Sequence, residues 1–115
     1  NSAQGTAFIE RLARFLEQHP GIKTYVVIGR STFSSAILNT MDFKHLTDAV
    51  VVGEQTAGKP NHFGEVRNFQ LPGSTKYFRR TDEEADTITP DVRIEMSFTD
   101  FTKGIDPVYE WIKAQ

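Results

Sequence analysis

The chain contains no cysteine. That removes disulfides, thiolate metal sites and cysteine nucleophiles without fixing a compartment. It also lacks a basic surplus. Thirteen Lys and Arg stand against 15 Asp and Glu, a net charge of −2, so nothing in the balance points to nucleic acid or to an anionic membrane surface. No apolar run approaches the roughly 18–20 residues that span a bilayer, and no signal-peptide pattern opens the chain. Asn1 rather than Met stands first, which reads as an excised piece of a longer protein. No internal repeat or low-complexity tract interrupts the sequence. What is present is ordinary for one folded α/β domain: 115 residues, 38% hydrophobic and 24% charged.

Periodicity sets out the elements. Over residues 6–18, Phe8, Ile9, Leu12, Phe15 and Leu16 recur at helical spacing between charged residues, and Pro20-Gly21 ends the helix. Residues 24–28 (Thr-Tyr-Val-Val-Ile) form a short β-branched and aromatic run that predicts a buried strand. After Gly29-Arg30-Ser31-Thr32, residues 33–39 read as a helix start with Phe33, Ile37 and Leu38 facing inward. Residues 49–52 predict a second buried strand stopped by Gly53, and residues 54–62 a loop from their Gly, Pro and Asn content. A hairpin is expected from residues 66–71 and 75–79 about Pro72-Gly73, then a charged loop over 80–87. Residues 92–96 alternate as a strand. Asp106-Pro107 opens a last helix through Lys113 with Val108, Trp111 and Ile112 on its apolar side. Helices interspersed with buried strands give an α/β domain.

The chemistry concentrates between Tyr25 and Pro60. A strand ends, a short turn follows, and Ser34-Ser35 stand where a helix begins. Helix-start N–H groups have no intrahelical acceptor and the dipole end is positive, so a developing oxyanion is stabilised there. Ser and Thr are also the favoured N-caps, and a serine at this place has an ordinary capping role open to it. A nucleophilic serine needs a base. Of the three histidines, His19 lies at a helix end, His45 follows Lys44 in a polar connection, and His62 lies in the Gly-Lys-Pro-Asn-His loop. A triad of Ser34, His62 and Glu65 or Asp48 can be written, but no spacing selects it. Lys59 is the other candidate. A lysine becomes a base only when burial or a cationic neighbour favours its neutral form; otherwise a lysine between Gly58 and Pro60 is a solvated turn residue. The residues alone leave the choice open.

Two local patterns and one spacing add to this reading. Residues 49–59, Ala-Val-Val-Val-Gly-Glu-Gln-Thr-Ala-Gly-Lys, resemble the strand and Gly-Glu-x-Thr-x-Gly-Lys element of the tail-specific (carboxy-terminal processing, S41-type) serine peptidases. Counting back 25 residues from Lys59 lands on Ser34 within Ser31-Thr-Phe-Ser-Ser-Ala36, where that family carries its nucleophile. Ile88-Thr-Pro-Asp-Val92 is similar to the family's Pro-Asp-Ile/Val strand, and Gly104-Ile-Asp-Pro-Val108 to its Gly-x-Asp-x-x-Leu helix start. The resemblance implies a ClpP/crotonase-like core and hydrolysis of peptide bonds in a peptide or protein substrate. It assigns Ser34 as nucleophile, Lys59 as base and the Ser35 backbone N–H as one oxyanion donor, with no metal or organic cofactor. It also implies an extracytoplasmic setting, in the cell envelope or secreted.

The match has departures. Phe33 and Ile37 stand where many relatives have Ala and Glu. Phe63 occupies the place of a glutamine that assists the lysine in several relatives, leaving His62 or Asn61 beside it to orient Lys59. The family's second oxyanion donor belongs to a Gly-rich segment, and its PDZ domain, when present, also precedes the part matched here. The isolated chain is therefore expected to be the C-terminal part of such a catalytic domain and to turn over peptides poorly by itself. Three rivals stand beside this reading: a non-catalytic relative that binds peptides or apolar ligands, a crotonase-type acyl-CoA enzyme sharing the core, and an interaction domain whose Ser34 only caps.

Overall fold

The computed structural model describes residues 2–59 and 87–115; the expected hairpin, Asn61, His62, Phe63 and most of the charged loop lie outside the described residues. In chain order the elements are α1 (Ser2–Glu17), β1 (Tyr25–Ile28), α2 (Ser35–Leu46), β2 (Val50–Gly53), β3 (Val92–Arg93), α3 (Phe98–Lys103) and α4 (Pro107–Lys113). The architecture is mixed α/β, with a three-stranded sheet in the order β1-β2-β3 and both pairings parallel. Two parallel strands require a crossover between them, and α2 supplies it from β1 to β2.

Register follows from the side-chain alternation of strands. Tyr25 pairs with Val50, Val26 with Val51, Val27 with Val52 and Ile28 with Gly53. One face therefore carries Val26, Ile28 and Val51. It packs on Ile37, with Ile88 completing the buried cluster and Met41 partly buried against it. On the other face Tyr25 meets the Trp111 ring of α4 edge-on, 5.9 Å between centroids, a favoured aromatic geometry. The valine run is buried from both sides at Val52, as a run without alternation predicts.

Helix α1 lies against α2 through its small residues. Gly5 comes so close to Asn39 that an added Cβ would collide with its side-chain amide, and Thr6 donates to the Asp42 carboxylate at 2.6 Å. The buried positions of α1 are Ile9 and Ala13, whereas Phe8 and Phe15 are exposed. Spacing foresaw the helix, but the two largest apolar residues in it do not form its packed face. A close helix crossing at Gly5 admits small residues there and leaves the bulkier ones outside. The helix α2 runs on to Leu46, so His45 belongs to its last turn rather than to a connection.

Segment 87–97 is stitched to β2. Asp91 accepts from Val51 N–H through its carboxylate (2.9 Å) and donates its own N–H to the Val51 carbonyl (2.7 Å). The Ile94 N–H reaches the Gly53 carbonyl at 2.9 Å. The strand expected over residues 92–96 is reduced to β3, two residues long. Helix α4 starts as expected: the Asp106 carboxylate accepts from the N–H groups of Val108 (3.0 Å) and Tyr109 (3.1 Å), with Pro107 in the first turn. Among the described residues no helix is long and apolar enough to cross a membrane.

Candidate functional site

The site is built where β1 gives way to α2. Ile28 is the last residue of β1, and the chain then turns through Gly29 to Thr32. This turn is closed reciprocally, with Thr32 N–H on the Gly29 carbonyl at 2.9 Å and Gly29 N–H on the Thr32 hydroxyl at 3.0 Å. A second turn follows at once. The Ala36 N–H bonds to the Phe33 carbonyl at 3.2 Å, and Ser34 sits at the first central position with φ 55° and ψ −122°. Those are the dihedrals of the mirror-image type II′ turn, a position dominated by glycine. Ser34 is the sole non-glycine residue with positive φ among the described residues. Holding an L-residue there costs on the order of 1–3 kcal/mol, and such strain persists where the surroundings fix it.

The strained turn decides what Ser34 does. Although it occupies the N-cap position of α2, its side chain makes no capping hydrogen bond. Its carbonyl enters the helix normally, accepting from Ile37 at 3.0 Å and Leu38 at 3.4 Å. With Ala36 bonded to Phe33 and Ile37 bonded to Ser34, the Ser35 N–H is left with no acceptor among the described residues. Ser34 and Ser35 are both half-buried. A hydroxyl not engaged in capping thus stands next to an unengaged amide at the positive end of a three-turn helix, which is the local arrangement that oxyanion stabilisation uses.

The segment that follows β2 and contains Lys59 leaves the sheet at the same end as the Ser34 turn. Gly53, at φ 121°, ends the strand so close to β1 that an added Cβ would run into the Ile28 carbonyl oxygen. The Glu54 N–H bonds to that same oxygen at 3.0 Å. Glu54 pairs with Arg30 at 3.1 Å across the strand ends. Thr56, buried, then fixes the loop: its hydroxyl accepts from Ile88 N–H at 2.9 Å and donates to the Gly58 carbonyl at 3.0 Å, while its own N–H reaches the Ile88 carbonyl at 3.2 Å. Gly58 packs directly on α2. A Cβ there would lie 2.7 Å from Ile37 Cδ1 and 2.8 Å from Phe33 Cδ2, so a side chain at this position would have to push Ile37 or Phe33 aside. The residues that immediately precede the two members of the expected dyad, Phe33 and Gly58, are therefore in contact. The Lys59 side chain is exposed among the described residues.

Several expectations meet the geometry differently. Phe33 was placed facing inward, but 64% of it is exposed; the tight turn at Ser34 carries it over the surface of the Gly58 loop, while Ile37 and Leu38 are buried as expected. His19 lies at the helix end as expected, its ring stacked on Phe15 and its Nδ1 2.7 Å from the Phe15 carbonyl oxygen. Asp48, the carboxylate written into the alternative triad, lies at the other end of the sheet, just before β2. Two contributors went unread in the sequence. Thr56 has no role of its own in the motif reading; a lone threonine amid Gly and Ala in a loop is the available signal for a hydroxyl that replaces backbone pairing. Helix α3 was missed altogether. Its N-cap, Ser97, and Asp100 form a capping box, and Gly104 at φ 65° closes it. The Ser97 hydroxyl and then its backbone N–H hold the Asp100 carboxyl below the ordinary carboxylate range.

Beside the Ser34 turn an open groove of about 850 Å³ runs from the end of β1 to α3. Thr32 and Ala36, two residues to either side of Ser34, belong to its wall. Comparison with protein-family models found no match to the chain, and comparison with curated proteins found none either.

Proposed function

We propose that this chain carries the nucleophilic half of a serine-type peptidase site, of the tail-specific processing kind that its motifs resemble, on a ClpP/crotonase-like core. The observation that carries the reading is the backbone of Ser34: a non-glycine residue held at φ 55°, its hydroxyl withheld from capping, next to an unengaged Ser35 N–H. Structural serines at helix starts cap; this one does not. The contact of Gly58 with Phe33 and Ile37 supports Lys59 as its partner, and the parallel sheet with its α2 crossover is compatible with the proposed core. An extracytoplasmic setting rests on the motif resemblance alone.

In the proposed reaction the Lys59 amine takes the Ser34 proton as Oγ attacks the scissile carbonyl carbon. The carbonyl oxygen becomes an oxyanion, held by the Ser35 N–H and a second donor. Collapse breaks the C–N bond, and Lys59 returns the proton to the leaving amine. Water, deprotonated by the same amine, then attacks the acyl ester and restores the Ser34 hydroxyl. Peptide or protein is the substrate, and the mechanism asks nothing of a cofactor.

A second reading has its own support. The exposure of Lys59 among the described residues suits a relative that binds peptides while the Ser–Lys pair stays idle. Labelling with a fluorophosphonate separates the two, since covalent capture needs an activated serine but not full turnover. The experiment uses the chain and a longer polypeptide containing it. The proposed function expects a single label on Ser34, abolished in Ser34→Ala and reduced at least about 10³-fold in rate in Lys59→Ala. Labelling that persists in Lys59→Ala, or no labelling of either polypeptide, rejects the dyad.

A further inference from the structure

The groove beside Ser34 has an unusual wall. Phe98 and Phe101 lie three residues apart on α3 and therefore share one of its faces, and they are 82% and 70% exposed. Val27 of β1 and Met96 join them in the lining and are exposed as well. None of these side chains is needed to hold α3, which buries no residue and is fixed by its capping box and by Gly104. The Arg30–Glu54 ion pair also lines the groove. Large apolar surface gathered at one groove and left in water marks a surface for a ligand. Thr32 and Ala36, two residues before and after Ser34, stand in its wall.

We propose that this groove is the subsite that receives large apolar side chains of an extended peptide next to its scissile bond, with Phe98 and Phe101 as specificity-determining residues. This rests on the reading of Ser34 as nucleophile. The ion pair at Arg30 and Glu54 leaves no unbalanced charge in the lining, so a charged peptide side chain gains no partner there. An aromatic or branched aliphatic side chain gains contact with both Phe rings and with Val27.

The test uses the 115-residue chain and two fluorescein-labelled peptides of equal length and charge, one with Phe-Leu and the other with Ser-Asn at the centre. By fluorescence anisotropy the Phe-Leu peptide is expected to bind at least tenfold more tightly. F98A/F101A erases the difference, F98L/F101L keeps most of it, and circular dichroism of both variants matches the parent. The Phe-Leu peptide also slows fluorophosphonate capture of Ser34, and this protection is lost in F98A/F101A. Equal binding of the two peptides, or a preference that survives F98A/F101A, overturns the groove while leaving the Ser34 assignment untouched. A preference without protection of Ser34 overturns its role as a subsite. Absence of Ser34 labelling both in this chain and in a longer polypeptide containing it removes the peptidase reading itself, and this subsite with it.

Discussion

Among the described residues two serines occupy helix N-caps, and they differ in almost every respect. Ser97 has extended backbone dihedrals, φ −78° and ψ 160°; its hydroxyl accepts from Asp100 N–H, and the Asp100 carboxylate answers from the other side. Ser34 has φ 55° and ψ −122° and makes no capping bond. Ser97 stands on a short, exposed helix without buried residues, where local hydrogen bonds must do the holding. Ser34 begins a helix whose Ile37 and Leu38 are buried and whose first turn is wedged against Gly58. The lesson is that backbone strain needs surroundings that over-determine it. The packed end of α2 can keep a serine in a glycine's conformation; the exposed end of α3 could not.

Loosening the packing that holds the Ser34 turn is the harshest way to break this contrast. Ile37 is fully buried in the main cluster, so Ile37→Ala is expected to destabilise the chain by about 2–5 kcal/mol in urea unfolding and to slow Ser34 labelling. Thr56→Val comes next. It keeps the shape but strands the Ile88 N–H and the Gly58 carbonyl, for a loss of about 1–3 kcal/mol. The same change should slow labelling, because the loop that leads to Lys59 loses its anchor.

The two serines can then be compared directly. Ser34→Gly relieves the positive φ and is expected to raise stability by about 1 kcal/mol while abolishing labelling. Ser34→Ala should leave stability within about 0.5 kcal/mol, since no cap bond is lost, whereas Ser97→Ala should cost about 1 kcal/mol. Should Ser34→Ala also cost about 1 kcal/mol, its hydroxyl caps after all and the contrast fails.

The smallest effect concerns acid. The Ser97 hydroxyl and backbone N–H depress the Asp100 carboxyl in the folded chain. A depressed carboxylate adds stability above its unfolded value and loses that contribution as pH falls through the folded one. Urea midpoints measured from about pH 6 downward should therefore fall less in Asp100→Asn than in the parent, with the difference confined to the region below the ordinary value of 3.8.

How much of this was legible beforehand varied with the physics involved. The strands at residues 25–28 and 50–53 and the helix from Pro107 follow from β-branched runs and a Pro after Asp, signals contained in a few neighbouring residues. The placing of Ser34 at a strand-to-helix turn was expected from the order of elements, whereas the packing of Gly58 against Phe33 and Ile37 has no signal in the sequence. What could not be read was conformation imposed from a distance. Nothing around Ser34 in the sequence announces positive φ, and the packing beside it, Gly58 against Ile37 and Phe33, forms only in three dimensions. The outward turn of Phe33 and of Phe8 has the same origin: helical periodicity reports which residues share a face, but a glycine contact such as Gly5 on Asn39 decides which face is packed. Helix α3 escaped notice because its two phenylalanines point away from any core, so it has no buried periodicity to detect.

The left-handed backbone at residue 34 also bears on how this chain can drift. Glycine or asparagine would sit there more comfortably, and a lineage released from the need for a reactive alcohol would gain stability by changing to either. On the proposed reading, the strain at this position is the structural cost of keeping an alcohol where glycine fits best.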